Sequence, residues 1–149
     1  MKKLKVALLA NAKENAPKFE EFSEDQWDDL DSTKTINAIV EAIKSGGNDC
    51  EFLEGNITLV DNLTKYQPDI CFNICEGHFG DGREAQVPAI LEMMRIPYTG
   101  SKVMTLALTL DKPMTKRILF WHELPTPEFQ VFERADEPLN DDLRFPLFV

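Results

Sequence analysis

The sequence has little positive charge. Lys and Arg together number 16, against 26 Asp and Glu, so the formal net charge is −10. The basic residues are scattered along the chain, and none of them forms a patch. An acidic chain without a basic patch is a poor partner for nucleic acid or for an anionic membrane surface, and we expect neither partner here.

Long apolar stretches are also missing. No run approaches the 18 or so residues that a membrane helix needs. The apolar run at 6–10, which follows two early lysines, is too short for the hydrophobic region of a signal peptide. We therefore expect a cytoplasmic protein.

Cysteine is scarce, and its spacing fits neither a zinc site nor a disulfide framework. Cys71 and Cys75 share one face of a predicted strand, roughly 13 Å apart at about 3.3 Å per residue. That separation is too large for a disulfide or a shared metal. With Cys50, they are expected to be buried thiols in a reducing compartment. The acidic segment at 13–31 reads as a solvated loop held by Trp27, so no metal site is predicted.

What the sequence does have is strand–helix alternation. A short apolar run predicts a strand at 5–10, and further strands are predicted at 50–54, 69–75 and 96–101. Helices are predicted from Asp31 or Ser32 onward, at 58–66, and after the glycine-rich segment. The first has a predicted buried face of Ile36, Ile39, Val40 and Ile43. The third has one of Val87, Ile90, Leu91 and Met94. This alternation predicts an α/β domain at 1–102 with a doubly wound, Rossmann-like parallel sheet of strand order 2-1-3-4.

The pattern changes after residue 102. Two helices follow, the second capped by Asp111 with Pro113 in its first turn. The prolines of "LPTP" (124–127) then end the second helix, and strands are predicted at 128–133 and 144–149. We interpret 103–149 as the beginning of a second, α+β domain that packs less completely than the first.

Ligands bind beyond the carboxyl ends of the strands in an open α/β sheet, where two loops lie, at 11–31 and 76–83. The second, "EGHFGDGRE", is the better candidate, because its glycines allow close backbone approach and it leads into a helix N-terminus. Glu76, His78 and Arg83 are its candidate substrate-binding residues. It lacks the P-loop and GxGxxG patterns, and an ordinary surface loop remains the alternative. His122, at a predicted helix end, is expected to be structural.

The pieces "REAQVPAILEMMRIPYTGS" and "LALTLDKPMTKRIL", with "ELPTPEF" after them, resemble the D-alanine–D-alanine ligase family of ATP-grasp enzymes. The resemblance implies a pre-ATP-grasp domain and the use of ATP and Mg to form an acyl phosphate, which an amine then attacks. It implies that Lys112 contacts the nucleotide and that the loop from Glu76 holds the first amino acid. In the family, the strand matching "FPLFV" continues into a phosphate-gripping lysine. We therefore expect an N-terminal portion of a longer ligase, inactive by itself.

The sequence also departs from the family. Standard members have histidine where Glu76 stands, and Glu-Asp-Gly in place of Asp81, Gly82 and Arg83. Their Gly-Gly-Thr-Ser loop with a catalytic glutamate is replaced by "ANAKEN", in which Glu14 is the nearest carboxylate. Glu76 would suit an ammonium group and Arg83 a carboxylate. The amino acid partner and a homodimer both stay open, and a stand-alone small-molecule binding module is the alternative function.

Overall fold

The computed structural model describes residues 2–23 and 25–148. The strands are β1 (Lys5–Ala10), β2 (Asp49–Glu54) and β3 (Ile70–Asn73), and the α-helices are α1 (Thr33–Ser45), α2 (Leu59–Tyr66), α3 (Gln86–Met94), α4 (Val103–Leu110) and α5 (Lys112–Trp121). Short 3₁₀ turns cover Lys13–Asn15 and Arg83–Ala85.

The three strands form one parallel sheet in the order β2-β1-β3. In its register, Val6 of β1 lies beside Cys50 of β2 and Ile70 of β3. A parallel three-stranded sheet with helical crossovers is the predicted α/β fold, which is therefore confirmed.

The fourth predicted strand, at 96–101, is reduced to a single parallel bridge between Cys71 and Tyr98. Two hydrogen bonds hold it: the Cys71 amide donates to Pro97 O at 2.8 Å, and the Thr99 amide donates to Cys71 O at 3.0 Å. The segment therefore lies beside β3, where the order 2-1-3-4 places it, but a full strand at 96–101 was wrong. Pro97 lacks an N–H group, which limits the pairing that this segment can make.

Helices cover both faces of the sheet because consecutive β1 residues point to opposite sides. Ala7 and Leu9 pack with a cluster from α2 and α3 that includes Leu63 and Leu91, whereas Leu8 packs on the other side with a cluster from α1. This division explains why β1 reads as an unbroken apolar run.

The first helix forms as its sequence predicts. Ser32 is its N-cap, with its hydroxyl accepting the Thr35 amide at 3.2 Å. Ile36 and Val40 are buried, and the helix ends at Ser45 with Gly46 as its C-cap, followed by Gly47 at a φ of 86°. A positive φ suits glycine, which has no Cβ to clash.

All three cysteines are free and buried, as expected. Burial raises the pKa of the Cys71 thiol to about 12 and also raises that of Cys75. Cys75 lies beyond the end of β3, because the strand is shorter than the predicted 69–75.

The part of the chain from 103 to 148 is helical and then irregular. Asp111 caps α5, accepting the Met114 amide at 2.9 Å, and Pro113 lies in its first turn. None of the described residues in this segment is buried. The strands predicted at 128–133 and 144–149 were wrong for all the residues described there, since neither segment is paired with another strand. None of the helices in the described ranges is both long and apolar enough to cross a membrane.

Candidate functional site

The candidate site lies at the carboxyl edge of the sheet, where the loops after the three strands meet around Asn11. This side chain, 1% exposed, is the buried polar residue of the described core. Its Nδ2 donates to Gly55 O after β2, and its Oδ1 accepts from the Gly77 amide after β3, both at 2.8 Å. Asn11 therefore holds the glycine loop in a fixed position relative to the sheet.

The backbone of the glycine loop is folded tightly over itself. Gly77 has a φ of +72°, and a Cβ added there would lie 2.7 Å from Arg83 O. Both facts require glycine. The close approach brings Arg83 back toward the start of the loop, next to Glu76.

The acidic loop that follows β1 closes over the glycine loop. Trp27 donates from Nε1 to Pro17 O at 2.9 Å, and its ring meets those of Phe22, His78 and Phe79 at centroid distances of 5.6, 5.3 and 6.2 Å. The contacts of Trp27 confirm that it holds this loop to the body of the protein.

A small cavity of about 100 Å³ lies between the two loops. Its lining is contributed by the acidic loop and by the glycine loop: Gln26, Trp27, Asp29 and Leu30 from the first, and Gly77, His78, Gly80 and Arg83 from the second. The cavity thus has a guanidinium and a carboxylate on its walls, and its volume suits a small zwitterion.

Glu76 stands beside this cavity in an acidic environment. Burial raises the pKa of its carboxyl group, and Glu84 and Asp29 raise it further, whereas Arg83 lowers it. Two of these neighbours carry negative charge, so the group would gain from a positively charged ligand. Of the three candidate residues, His78 and Arg83 line the small cavity and Glu76 lies next to its lining residue Gly77; the lining also includes Asp29 of the acidic loop.

His78 has an unsatisfied polar atom. Its Nε2 is buried without a hydrogen-bond partner among the described residues. Burial lowers the pKa of the imidazole, against an opposing effect of Glu54, so the ring is neutral near pH 7. The imidazole of His78 packs against the rings of Trp27 and Phe79.

A second cavity, of about 520 Å³, also borders His78. Its remaining lining comes from the loop after β1, the end of β2 and the start of α3: Asn15, Pro17, Glu54, Gly55, Asn56, Ile57, Phe79, Gln86, Val87 and Ile90. Its walls are mostly apolar, in contrast to those of the small cavity. Glu54 is held there by the Ala12 amide at 2.9 Å and Asn15 Nδ2 at 2.7 Å.

Glu14, the nearest carboxylate after β1, is engaged elsewhere. Its two oxygens accept the Thr33 amide at 3.1 and 3.0 Å, at the beginning of α1. Hydrogen bonds from its own backbone and from Thr33 lower its pKa. Glu14 therefore supports the helix, and it is not among the residues that line the two cavities.

Lys112 lies apart from the glycine loop. It is the first residue of α5, is exposed, and donates from Nζ to Thr109 O at 2.9 Å. His122, which was expected to be structural, caps the other end of α5 and is exposed. Within residues 2–23 and 25–148, no group of three or more His, Cys, Asp or Glu side chains could hold a metal ion.

No protein-family model matches the chain. Curated sequences do. The chain is 35% identical over 105 residues to the D-alanine–D-alanine ligase of Moorella thermoacetica, and 32% identical over 126 residues to that of Pelagibacter ubique; these alignments cover 70% and 80% of this chain. The resemblance to the D-alanine–D-alanine ligase family is confirmed. An uncharacterized protein of Sinorhizobium fredii, y4sG, is 36% identical over 124 residues, which are 78% of this chain.

The structural comparison agrees at the level of the fold. A D-alanine–D-alanine ligase from Bacillus anthracis, solved as a complex with ATP, aligns with a TM-score of 0.62 and 18% identity over 93% of this chain. The alignment covers 43% of that ligase. Likewise, the alignments cover 33% to 41% of the Moorella, Pelagibacter and Sinorhizobium proteins. The chain therefore spans well under half the length of the D-alanine–D-alanine ligases that it matches.

Proposed function

We propose that this chain supplies the amino-acid recognition site of an ATP-dependent carboxylate–amine ligase. The observation that carries the proposal is the small polar cavity between the acidic loop and the glycine loop, with Arg83 and Asp29 on its walls and Glu76 beside it. The similarity to D-alanine–D-alanine ligases supports the reaction class.

In this proposal, each charged group of an α-amino acid has a counterpart. The guanidinium of Arg83 pairs with the carboxylate, since its planar fork suits that geometry. Glu76 and Asp29 face the ammonium group, which would relieve their mutual repulsion. In the complete reaction, a carboxylate would be phosphorylated by MgATP, and an amine would displace the phosphate to form an amide.

The described residues do not fit a complete nucleotide and metal site. Lys112 is the nucleotide-contacting candidate, but it is exposed and borders neither cavity, and no metal-ligand cluster is found in the part of the chain that the structure describes. An exposed ammonium–phosphate contact contributes only about 1 kcal/mol. We propose that the 149 residues alone bind MgATP more weakly than about 1 mM, which corresponds to roughly −4 kcal/mol. Calorimetry showing micromolar affinity, or phosphate release above background, would contradict this.

The amino-acid site is tested by nuclear magnetic resonance titration of the chain with both enantiomers of alanine, since the method detects millimolar affinities. We expect shifts at the glycine loop, and a loss of affinity of about 30-fold or more for Arg83→Ala and Glu76→Gln, which is roughly 2 kcal/mol for one charged pairing. Arg134→Ala removes an exposed arginine whose ion partner is Asp136, and it should change nothing. Equal affinities for all the variants would refute the assignment.

A stand-alone binding module is the second candidate. It is favoured by the position of the small cavity, whose lining residues all lie between 26 and 83 and so within the α/β part of the chain. The module would be favoured over the ligase if the protein bound the amino acid but showed no activity on ATP, even together with any protein segments that naturally adjoin it.

We place the boundary between the α/β domain and a second domain near residue 102, and the reaction in the cytoplasm, where ATP is available and buried thiols such as Cys71 stay reduced. A homodimer remains a prediction, and sedimentation of the purified chain would check it.

A further inference from the structure

The two cavities at the carboxyl edge of the sheet meet at one residue. His78 borders the cavity of about 100 Å³ that carries the charged groups, and it also borders the mostly apolar cavity of about 520 Å³. It is the one residue that the two linings share. A ligand held by its charged groups in the small cavity would therefore meet His78 before it could reach the larger one.

The imidazole of His78 is held by ring packing, and its Nε2 makes no hydrogen bond to the described residues. No hydrogen bond holds its Nε2 among the described residues, so a new rotamer would break none at that atom. The ring packs edge-on against Trp27 at 5.3 Å and in a tilted arrangement against Phe79 at 6.1 Å. Such contacts are individually weak compared with a buried hydrogen-bond network.

The larger cavity has the character of a side-chain pocket. Val87 and Ile90 of α3, with Pro17, give it apolar walls, and Arg83 is not among its lining residues. An aliphatic side chain entering it would exchange water for these walls, which is favourable. The charged head of the same ligand would stay in the small cavity.

We propose that the imidazole of His78 is a size gate between the two cavities, and that it sets which amino acids the site accepts. In the observed geometry the gate is closed and the small cavity takes an alanine-sized amino acid. With the ring displaced, the site takes an amino acid with a branched aliphatic side chain such as leucine. This inference rests on the proposed function, because it assumes that the charged head binds beside Arg83.

The test compares alanine with leucine, each as both enantiomers, in titrations of the chain followed by nuclear magnetic resonance. In His78→Ala we expect the affinity for leucine, relative to alanine, to rise about tenfold, the scale at which one added methylene group is discriminated in an apolar pocket. Adding Ile90→Ala to that variant should lower leucine affinity and leave alanine affinity unchanged. His78→Asn, which is also smaller than histidine, serves as a second variant if His78→Ala does not fold.

The wild-type chain supplies an independent measurement. Leucine should shift the imidazole resonances of His78 more than alanine does, because only leucine has to displace the ring. If alanine binds, but the affinity for leucine relative to alanine in the His78 variants stays within twofold of its wild-type value, the gate is refuted while the proposed function stands. If neither amino acid binds the wild type or any variant, the proposed function fails, and the gate fails with it.

Discussion

Asn11→Ala should destabilise the whole carboxyl edge of the sheet, although the side chain lies in neither cavity. Asn11 joins two loops that belong to different strands, through the Gly55 carbonyl and the Gly77 amide. Alanine can make neither bond. The glycine loop would then lose its hydrogen-bonded connection to the end of β1.

The magnitude follows from what is left unpaired. The Gly77 amide is buried, so its loss of a partner costs about 1–3 kcal/mol. Gly55 is only half-buried, and water can partly replace Asn11 there, so its carbonyl adds about 0.5–1.5 kcal/mol. We expect a total loss of about 3 kcal/mol in the free energy of unfolding. With a urea dependence of about 2 kcal/mol per molar, the unfolding midpoint would fall by roughly 1.5 M.

Urea unfolding followed by circular dichroism measures this loss. The matched control is Asn48→Ala, which removes a single hydrogen bond, from the Leu4 amide at 3.1 Å in an exposed position, and should cost less than about 1 kcal/mol. If Asn11→Ala proved no more destabilising than Asn48→Ala, the two bonds would not be holding the loops. The account of the site as a clamped assembly would then be wrong.

Three other predictions concern the loop, the core and the thiols. Gly77→Ala should unfold at lower urea by about 2 kcal/mol or more, because a Cβ there would lie 2.7 Å from a backbone oxygen, whereas Gly82→Ala, whose nearest neighbour would be 3.7 Å away, should be nearly neutral. Leu91→Ala, fully buried, should cost about 2–5 kcal/mol, and Met93→Ala, 85% exposed, less than about 0.5 kcal/mol; equal losses would contradict the described core. Burial raises the folded pKa of Cys71 to about 12, so the contribution of this buried thiol to stability should be complete below the ordinary thiol pKa of 9 and be lost as the pH rises from 9 toward 12. At pH 8 the Cys71 thiol should react with a disulfide reagent only after unfolding, which an absorbance assay would show.

Local sequence pattern was sufficient to predict most of the α/β sheet. β1 is an apolar run followed by a helix with a clear buried face, which includes Ile36 and Val40 in α1, and such signals do not depend on distant residues. The apolar segments at 128–133 and 144–148 look similar in composition but are not strands in the described structure. A strand exists only where a neighbour accepts its hydrogen bonds, and composition cannot show whether one is there.

The site was predictable only in part, for a related reason. Glycine spacing and charge pointed to Glu76, His78 and Arg83, since these features lie within one short segment. Asn11 and Asp29 were missed, because their importance depends on which loops approach each other across the sheet edge. The position of Asn11, a polar residue immediately after a buried strand, was the signal that could have revealed it.

The acidic loop after β1 leaves the sheet and returns to it at almost the same point. A parallel bridge pairs Ala12 with Asp31, and the Lys13 amide donates to Asp31 O at 2.9 Å. Closing a flexible loop becomes only slightly more costly as it lengthens, so residues could be added or removed between these ends without shifting β1 or α1. One wall of the small cavity is therefore an exchangeable module, and a lineage could remodel its ligand preference by replacing this loop while the sheet, the glycine loop and Arg83 stayed as they are.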